Sequence, residues 1–331
     1  MRYFANKLNI PVNRRIFLTI LTLTGTILLL SDHSSLARER RAALSAPPGY
    51  IAVPVHYSHW NKMLMEAVVN GHRARFVVDT GAGYSILDAG RARALGVSPV
   101  GAASPYGEFA NLNGVVYRVG YLKSLRAGAM DFGSGPMALF QPAEADDGLN
   151  SRLNGENADG IIGADILTHY KAVINCYTKT IFFKTGSSER LHVARFAASQ
   201  NFIRIPLREE VSRAFTIPAS VNGRPCRLLV DTGAFITTFD LKRAKEFGLS
   251  FKGTKMSGSF ADGIARPVAI GNVANLKIGD YRVPPQKLAA SALPDFALDQ
   301  GQAKIAGILG MELLAENHGI VDFESMSLFV R

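Results

Sequence analysis

One stretch occurs twice in this chain and constrains it more than any other feature. Phe76-Val77-Val78-Asp79-Thr80-Gly81-Ala82 returns as Leu228-Leu229-Val230-Asp231-Thr232-Gly233-Ala234. In each copy a short apolar run ends in Asp-Thr-Gly-Ala. Such a run reads as a buried strand and the glycine as a tight turn, so each copy sets a carboxylate at a strand end. The match extends well beyond the motif. At an offset of 152 residues, Ile51 to Pro99 aligns without a gap on Ile203 to Phe251, and 17 of the 49 positions are identical. Unrelated chains would share about three. A unit this long is a small domain, and the chain is a tandem duplication of it.

Each copy follows one plan. Runs rich in β-favouring residues (Ile51–Tyr57 and Leu64–Val69; Phe202–Leu207 and Ala214–Val221) lead to Asn70-Gly71 or Asn222-Gly223. Asn-Gly marks a two-residue hairpin, because both central residues of a type I′ turn need positive φ. The return strands Arg73–Asp79 and Arg227–Asp231 carry the motif. Asp88 and Asp240 then cap short helices closed by Gly96 and Gly248. Glycine-tipped hairpins are expected at Phe109-Ala110-Asn111-Leu112-Asn113-Gly114 and at Phe260-Ala261-Asp262-Gly263. Gly160-Ile161-Ile162-Gly163 and Gly307-Ile308-Leu309-Gly310 follow, each before a short helical stretch and a closing pair of strands. The class is all-β with short helices.

Before the duplication, Arg2, Lys7, Arg14 and Arg15 precede the apolar run Ile16–Leu30, and Ser35-Leu36-Ala37 offers a small-x-small cleavage site. That is the grammar of a signal peptide over residues 1–37, and the run is short for a membrane span. Asn13-Arg14-Arg15-Ile16-Phe17-Leu18 resembles a twin-arginine signal, which would imply a bacterial source; general secretion and an uncleaved anchor stay open. Export to the periplasm or medium is expected, with membrane attachment only if the segment is retained. The expected divisions are an arm at 38–49, a first lobe at 50–183, a linker at 184–201 and a second lobe at 202–331.

The formal charge of +10 overstates the mature chain, since residues 1–37 hold a net +3 and leave +7. No basic run is interleaved with aromatics after position 41, so no nucleic-acid partner is expected. Cys176 and Cys226, at non-equivalent places in the repeats, form no disulfide framework and read as buried free thiols. His56 and His59 lack supporting ligands, and Glu144, Asp146 and Asp147 lack calcium-loop spacing, so no metal is expected. Gly81-Ala82-Gly83 has no third glycine and no echo in the second copy, which carries Phe235, so no dinucleotide or other cofactor is expected. Trp60 reads as a packing residue.

Taken together, Asp-Thr-Gly-Ala at a strand end, a capped turn, a glycine-tipped hairpin and then Ile-Ile-Gly-Ala-Asp-Ile-Leu or Ile-Leu-Gly-Met-Glu-Leu-Leu resemble the retropepsin-like aspartic proteases, the bacterial branch most of all. The resemblance covers about residues 50–331, once per half. It implies two homologous β-barrel lobes related by a pseudo-two-fold axis, the acid protease fold, in a chain that needs no second subunit. Asp79 and Asp231 would be the catalytic pair. Thr80 and Thr232 would brace the two loops through hydroxyl-to-backbone bonds, and Gly81 and Gly233 would allow close approach. Phe109, Ala110, Asn113 and Gly114, with Phe260, Ala261, Asp262 and Gly263, would form flaps over an extended peptide or protein substrate.

The chemistry agrees independently. Peptide hydrolysis without metal or covalent nucleophile needs a base for water and an acid for the leaving group. Two adjacent carboxyls that share one proton supply both. An aspartic endopeptidase is therefore expected, with a non-catalytic peptide-binding module on the same fold as the alternative. Ala82 and Ala234 lack a hydroxyl that could stabilise the ionised carboxylates, which points to activity in mildly acidic conditions.

Overall fold

The computed structural model describes residues 46–112, 115–141, 156–186, 191–260, 264–300 and 303–331. The leader, most of the arm and the Glu144–Asp147 cluster lie outside these residues. So do the hairpin tips Asn113-Gly114 and Ala261-Asp262-Gly263. Among the described residues no helix is long and apolar enough to cross a membrane.

The fold is predominantly β with short helices, and the motif hairpins of the two halves pair alike. Met63–Val69 pairs antiparallel with His72–Val78, and Phe215–Val221 with Arg224–Val230. The turns between them place Asn70 and Gly71 at φ 51° and 88°, and Asn222 and Gly223 at 51° and 78°. Met63, Leu64 and Met65 are all buried and burial then alternates to Val69; it becomes continuous again over Phe76–Val78 as the return strand enters the core. Asp88 caps Ala89–Ala92 and Asp240 caps Leu241–Glu246, each accepting from the third residue on. Gly96 and Gly248 follow in the left-handed region at φ 63° and 71°.

Three sheets organise the chain. The first half forms a nine-stranded sheet in which Met63–Val69 also pairs with Val115–Ala127. That pairing closes a six-stranded barrel. The second half forms an eleven-stranded sheet along which no such ring closes continuously. There the long strand of the first half is divided into Ala265–Val273 and Leu276–Ile278, and only the latter pairs with Phe215–Val221. Two equal barrels were expected; one is present. The break falls at Ala274-Asn275, where Asn222 N–H donates to the Asn275 carbonyl at 3.0 Å.

The third sheet joins the halves. Its six strands run Tyr50–Pro54, Thr180–Lys184, Val173–Asn175, Ile320–Asp322, Ser327–Val330 and Ile203–Pro206, three from each half. At the seam Val173 faces Asp322 and Asn175 faces Ile320, an antiparallel register that relates the halves by an approximate two-fold axis. One apolar core cluster contains Phe76, Phe183, Phe215 and Phe239 and so runs through both halves. The stretch expected as a plain linker carries a helix, Val193–Ser199, whose Val193 and Ala197 are buried against Val173, Ile320 and Phe329. Cys176 and Cys226 are buried free thiols, as expected.

Candidate active site

The strands ending at Val78 and Val230 deliver Asp79 and Asp231 to one place. Each strand is flanked by a parallel neighbour, Gly160–Ile162 in the first half and Ala303–Leu309 in the second. Asp79 N–H donates to the Ile162 carbonyl and Asp231 N–H to the Leu309 carbonyl, both at 3.0 Å. The loops then wrap the ends of those neighbours. Ala82 accepts from Ala164 N–H at 2.8 Å, and Ala234 from Met311 N–H at 2.9 Å. A side chain at Gly163 or Gly310 would collide with these loop backbones, which is why both positions are glycine.

Across the axis the two loops exchange threonines. Thr80 Oγ1 donates to the Val230 carbonyl at 2.6 Å and accepts from Thr232 N–H at 3.1 Å. Thr232 Oγ1 donates to the Val78 carbonyl at 2.8 Å and accepts from Thr80 N–H at 3.1 Å. Both threonines are fully buried. These four bonds satisfy backbone groups that no strand pairs, at a point where an unpaired group would be costly.

The brace sets the carboxyls face to face. A Cβ on Gly81 would lie 2.6 Å from Asp231 Cγ, and Gly233 lies equally tight against Asp79. Only a residue without a side chain permits that approach. Oδ1 of Asp79 accepts from Gly81 and Ala82 N–H at 2.8 and 3.1 Å; Oδ1 of Asp231 accepts from Gly233 and Ala234 N–H at 2.8 and 2.9 Å. Burial holds Asp231 well above the usual carboxylate range, and the charge and hydrogen bonding of Asp79 beside it push the same way. Lys62 and the Gly233 N–H oppose this. Asp79, Asp231, Thr80, Thr232, Gly81 and Gly233 are thus brought together.

The expected flaps are placed in part. Phe109–Leu112 pairs with the start of Val115–Ala127, with Leu112 opposite Val115; Asn113 and Gly114 lie outside the described residues. Phe109 is exposed under the Arg118 guanidinium, and Ala110 is half-buried. Lys252–Ser259 and Ala265–Val273 form the second hairpin, with Ser259 opposite Ala265. Tyr117 of the first hairpin packs in a cluster with Ala82, and Phe260 of the second in a cluster with Ala234.

Three features escaped the sequence reading. Under the first loop Ser85 donates to Asp165 Oδ1 through N–H at 2.9 Å and Oγ at 2.6 Å. Under the second, Thr237 N–H donates to Glu312 Oε1 at 2.5 Å, while Oε2 of Glu312 is buried without a partner. Burial pushes Glu312 up to about 7, against the donation from Thr237. The third feature is the turn before each motif hairpin, which crosses to the other half. Trp60 packs edge-on against Phe235 at 5.5 Å, Arg213 lies over the Tyr84 ring at 5.3 Å, and the buried Lys62 ammonium donates to the Gly233 carbonyl at 2.7 Å. Lys62 was detectable as the one charge at the head of Met63-Leu64-Met65, facing Ala214 in the repeat. Among the described residues no group of His, Cys, Asp and Glu could hold a metal ion.

Comparison with known proteins follows the same lines. The family described as aspartyl protease matches residues 65–166 and again 217–313, once in each half. No curated protein matches. Among solved structures, an aspartic proteinase from Irpex lacteus superposes with a TM-score of 0.50 at 12% identity, covering 85% of this chain and 96% of the other. Basic 7S globulin from soybean superposes at 0.46 with 10% identity, over 86% of this chain and 95% of its own. At 12% identity the likeness to the Irpex lacteus proteinase is one of fold.

Proposed function

Since the chain belongs to the aspartyl protease family, we propose that Asp79 and Asp231 form one catalytic dyad that hydrolyses peptide bonds in an extended substrate. The observation that carries this reading is the threonine exchange between Thr80 and Thr232, which presses each motif glycine against the opposite carboxyl. Buried carboxyls so close cannot both ionise, so one proton is shared between them. The ionised member takes a proton from water, and the resulting hydroxide adds to the scissile carbonyl carbon. The protonated member gives its proton to the carbonyl oxygen, and a gem-diol results. Its collapse sends a proton to the leaving nitrogen and restores the dyad. The hairpins of Phe109 and Phe260 would cover the substrate, limiting water and pairing with its backbone.

Both half-sites come from one chain, which supports a monomeric enzyme. Ala after Asp-Thr-Gly in both halves supports the finer kinship with the retropepsin-like branch, the second half being the same barrel opened at Ala274-Asn275. The leader supports export from a bacterial cytoplasm with cleavage after Ala37. N-terminal sequencing of periplasmic or secreted material tests that, and a chain starting at Met1 in the membrane fraction would overturn it. For the chemistry, Asp79→Asn and Asp231→Asn should each abolish cleavage of a peptide library while the variants stay folded. If either retains most of the wild-type rate, the dyad is wrong. A wild type that binds peptides without cutting them would identify a binding module instead.

A further inference from the structure

The turns that precede the two motif hairpins are equivalent in backbone and unequal in charge. Ser58 N–H donates to the Lys62 carbonyl at 3.0 Å, and Glu210 N–H donates to the Ala214 carbonyl at 2.8 Å. Lys62 and Ala214 are 152 residues apart, the offset of the repeat. The second half shows that this turn folds with alanine, buried at 4% exposure. Lys62 is therefore not demanded by the turn, yet it is only 7% exposed and sends its ammonium across the axis to the loop that carries Asp231. An ammonium removed from water is costly unless an opposite charge balances it. One carbonyl oxygen is not such a charge. The singly ionised carboxyl pair is, and it lies directly behind that carbonyl.

We propose that Lys62 is a positioning residue that stabilises the singly ionised state of the carboxyl pair from across the axis. The inference rests on the dyad reading above. The positive charge favours each ionised state of the pair, so both apparent pKa values of the pair, and both limbs of a bell-shaped rate profile, sit lower than without it. Other ionisable groups on the packed elements are Asp165 and Glu312 beneath the loops, Arg213 over Tyr84, His59 against Trp60, and Glu210 in its ion pair with Arg208. All are common to wild type and a Lys62 variant, so the difference between the two isolates Lys62.

The test is titration of the full-length protein labelled with carbon-13 at the aspartate carboxyls, beside kcat/KM against pH. Lys62→Ala, which copies the second half's own residue, should raise both apparent pKa values of the pair by about one unit or more. The rate on the acidic limb should then fall about tenfold, in kcat rather than KM. Lys62→Arg should restore the profile, and Lys62→Ala with Ala214→Lys should return the bell to lower pH. A pair that titrates alike in wild type, Lys62→Ala and Lys62→Met would overturn the proposal, even if unfolding measurements show a loss of stability. The carboxyl titration does not depend on turnover, so a wild type that fails to cleave peptides would defeat the dyad reading and leave Lys62 still tested.

Discussion

The buried glutamate under the second loop makes the sharpest quantitative prediction. Glu312 Oε1 accepts from Thr237 N–H, but Oε2 has no partner and burial lifts the carboxyl from its ordinary 4.5 to about 7. A raised carboxyl binds its proton more tightly in the folded than in the unfolded state. The stability this confers is complete below the unfolded value and drains away as pH climbs to the folded one. At about 1.4 kcal/mol per unit, the interval from 4.5 to about 7 corresponds to roughly 3 kcal/mol. Glu312→Gln keeps the acceptor for Thr237 and removes the titration. Urea unfolding of both proteins across this range should show the variant gaining on wild type by roughly 3 kcal/mol as pH rises, whatever the offset at the acidic end. A Glu312→Gln difference that stays flat with pH refutes the reasoning.

Two further perturbations address the brace. Thr80→Val leaves the Val230 carbonyl and the Thr232 N–H buried and unpaired, and should cost about 2–4 kcal/mol by urea unfolding, while Thr80→Ser recovers most of it. Gly81→Ala places a methyl 2.6 Å from Asp231 Cγ, so the carboxyls must part; cleavage should drop by about 100-fold or more with the fold retained, and a variant near wild-type rate would show that their closeness is unnecessary.

Most of the fold could be read because its signals are local and occur twice. Asn-Gly at each hairpin, Asp and Gly at the helix ends and an apolar run before each Asp are short-range choices, and the structure honours them in both halves. The carboxyl pair was legible for the same reason. What escaped was where the copies differ. The interruption at Ala274-Asn275 leaves the second ring without the closure of the first, and the register of a long strand is a tertiary matter that local pattern does not fix. The helix Val193–Ser199 was hidden because its apolar face serves the shared sheet and its Ser- and Ala-rich sequence reads as linker. Lys62 and Glu312 were not singled out, since the burial of a charge has no local signature; only the contrast of Lys62 with Ala214 in the repeat marks one of them.

Under the dyad reading, the residues around the two carboxyls would set where the activity sits in pH, and they pull in opposite directions. Each carboxylate receives two backbone N–H donors at Oδ1 and none from the following side chain, because Ala82 and Ala234 carry no hydroxyl. A donor to the ionised form would stabilise it and lower the pKa, so its absence keeps the bell at higher pH. Desolvation acts the same way on Asp231, while Lys62 acts against both. The net position follows from a difference between neighbouring effects, and it can be dissected one side at a time. Ala234→Ser adds a donor beside Asp231 and should shift the bell down by about half a unit to one unit, and Ala82→Ser should do so for Asp79. In Lys62→Ala/Ala234→Ser the lost ammonium and the gained hydroxyl oppose each other at one carboxyl. The profile of that double variant should therefore fall between those of its two single variants. If the serine variants fold and bind peptide but their kcat/KM profiles do not move to lower pH, the missing hydroxyl does not set the working range of this dyad.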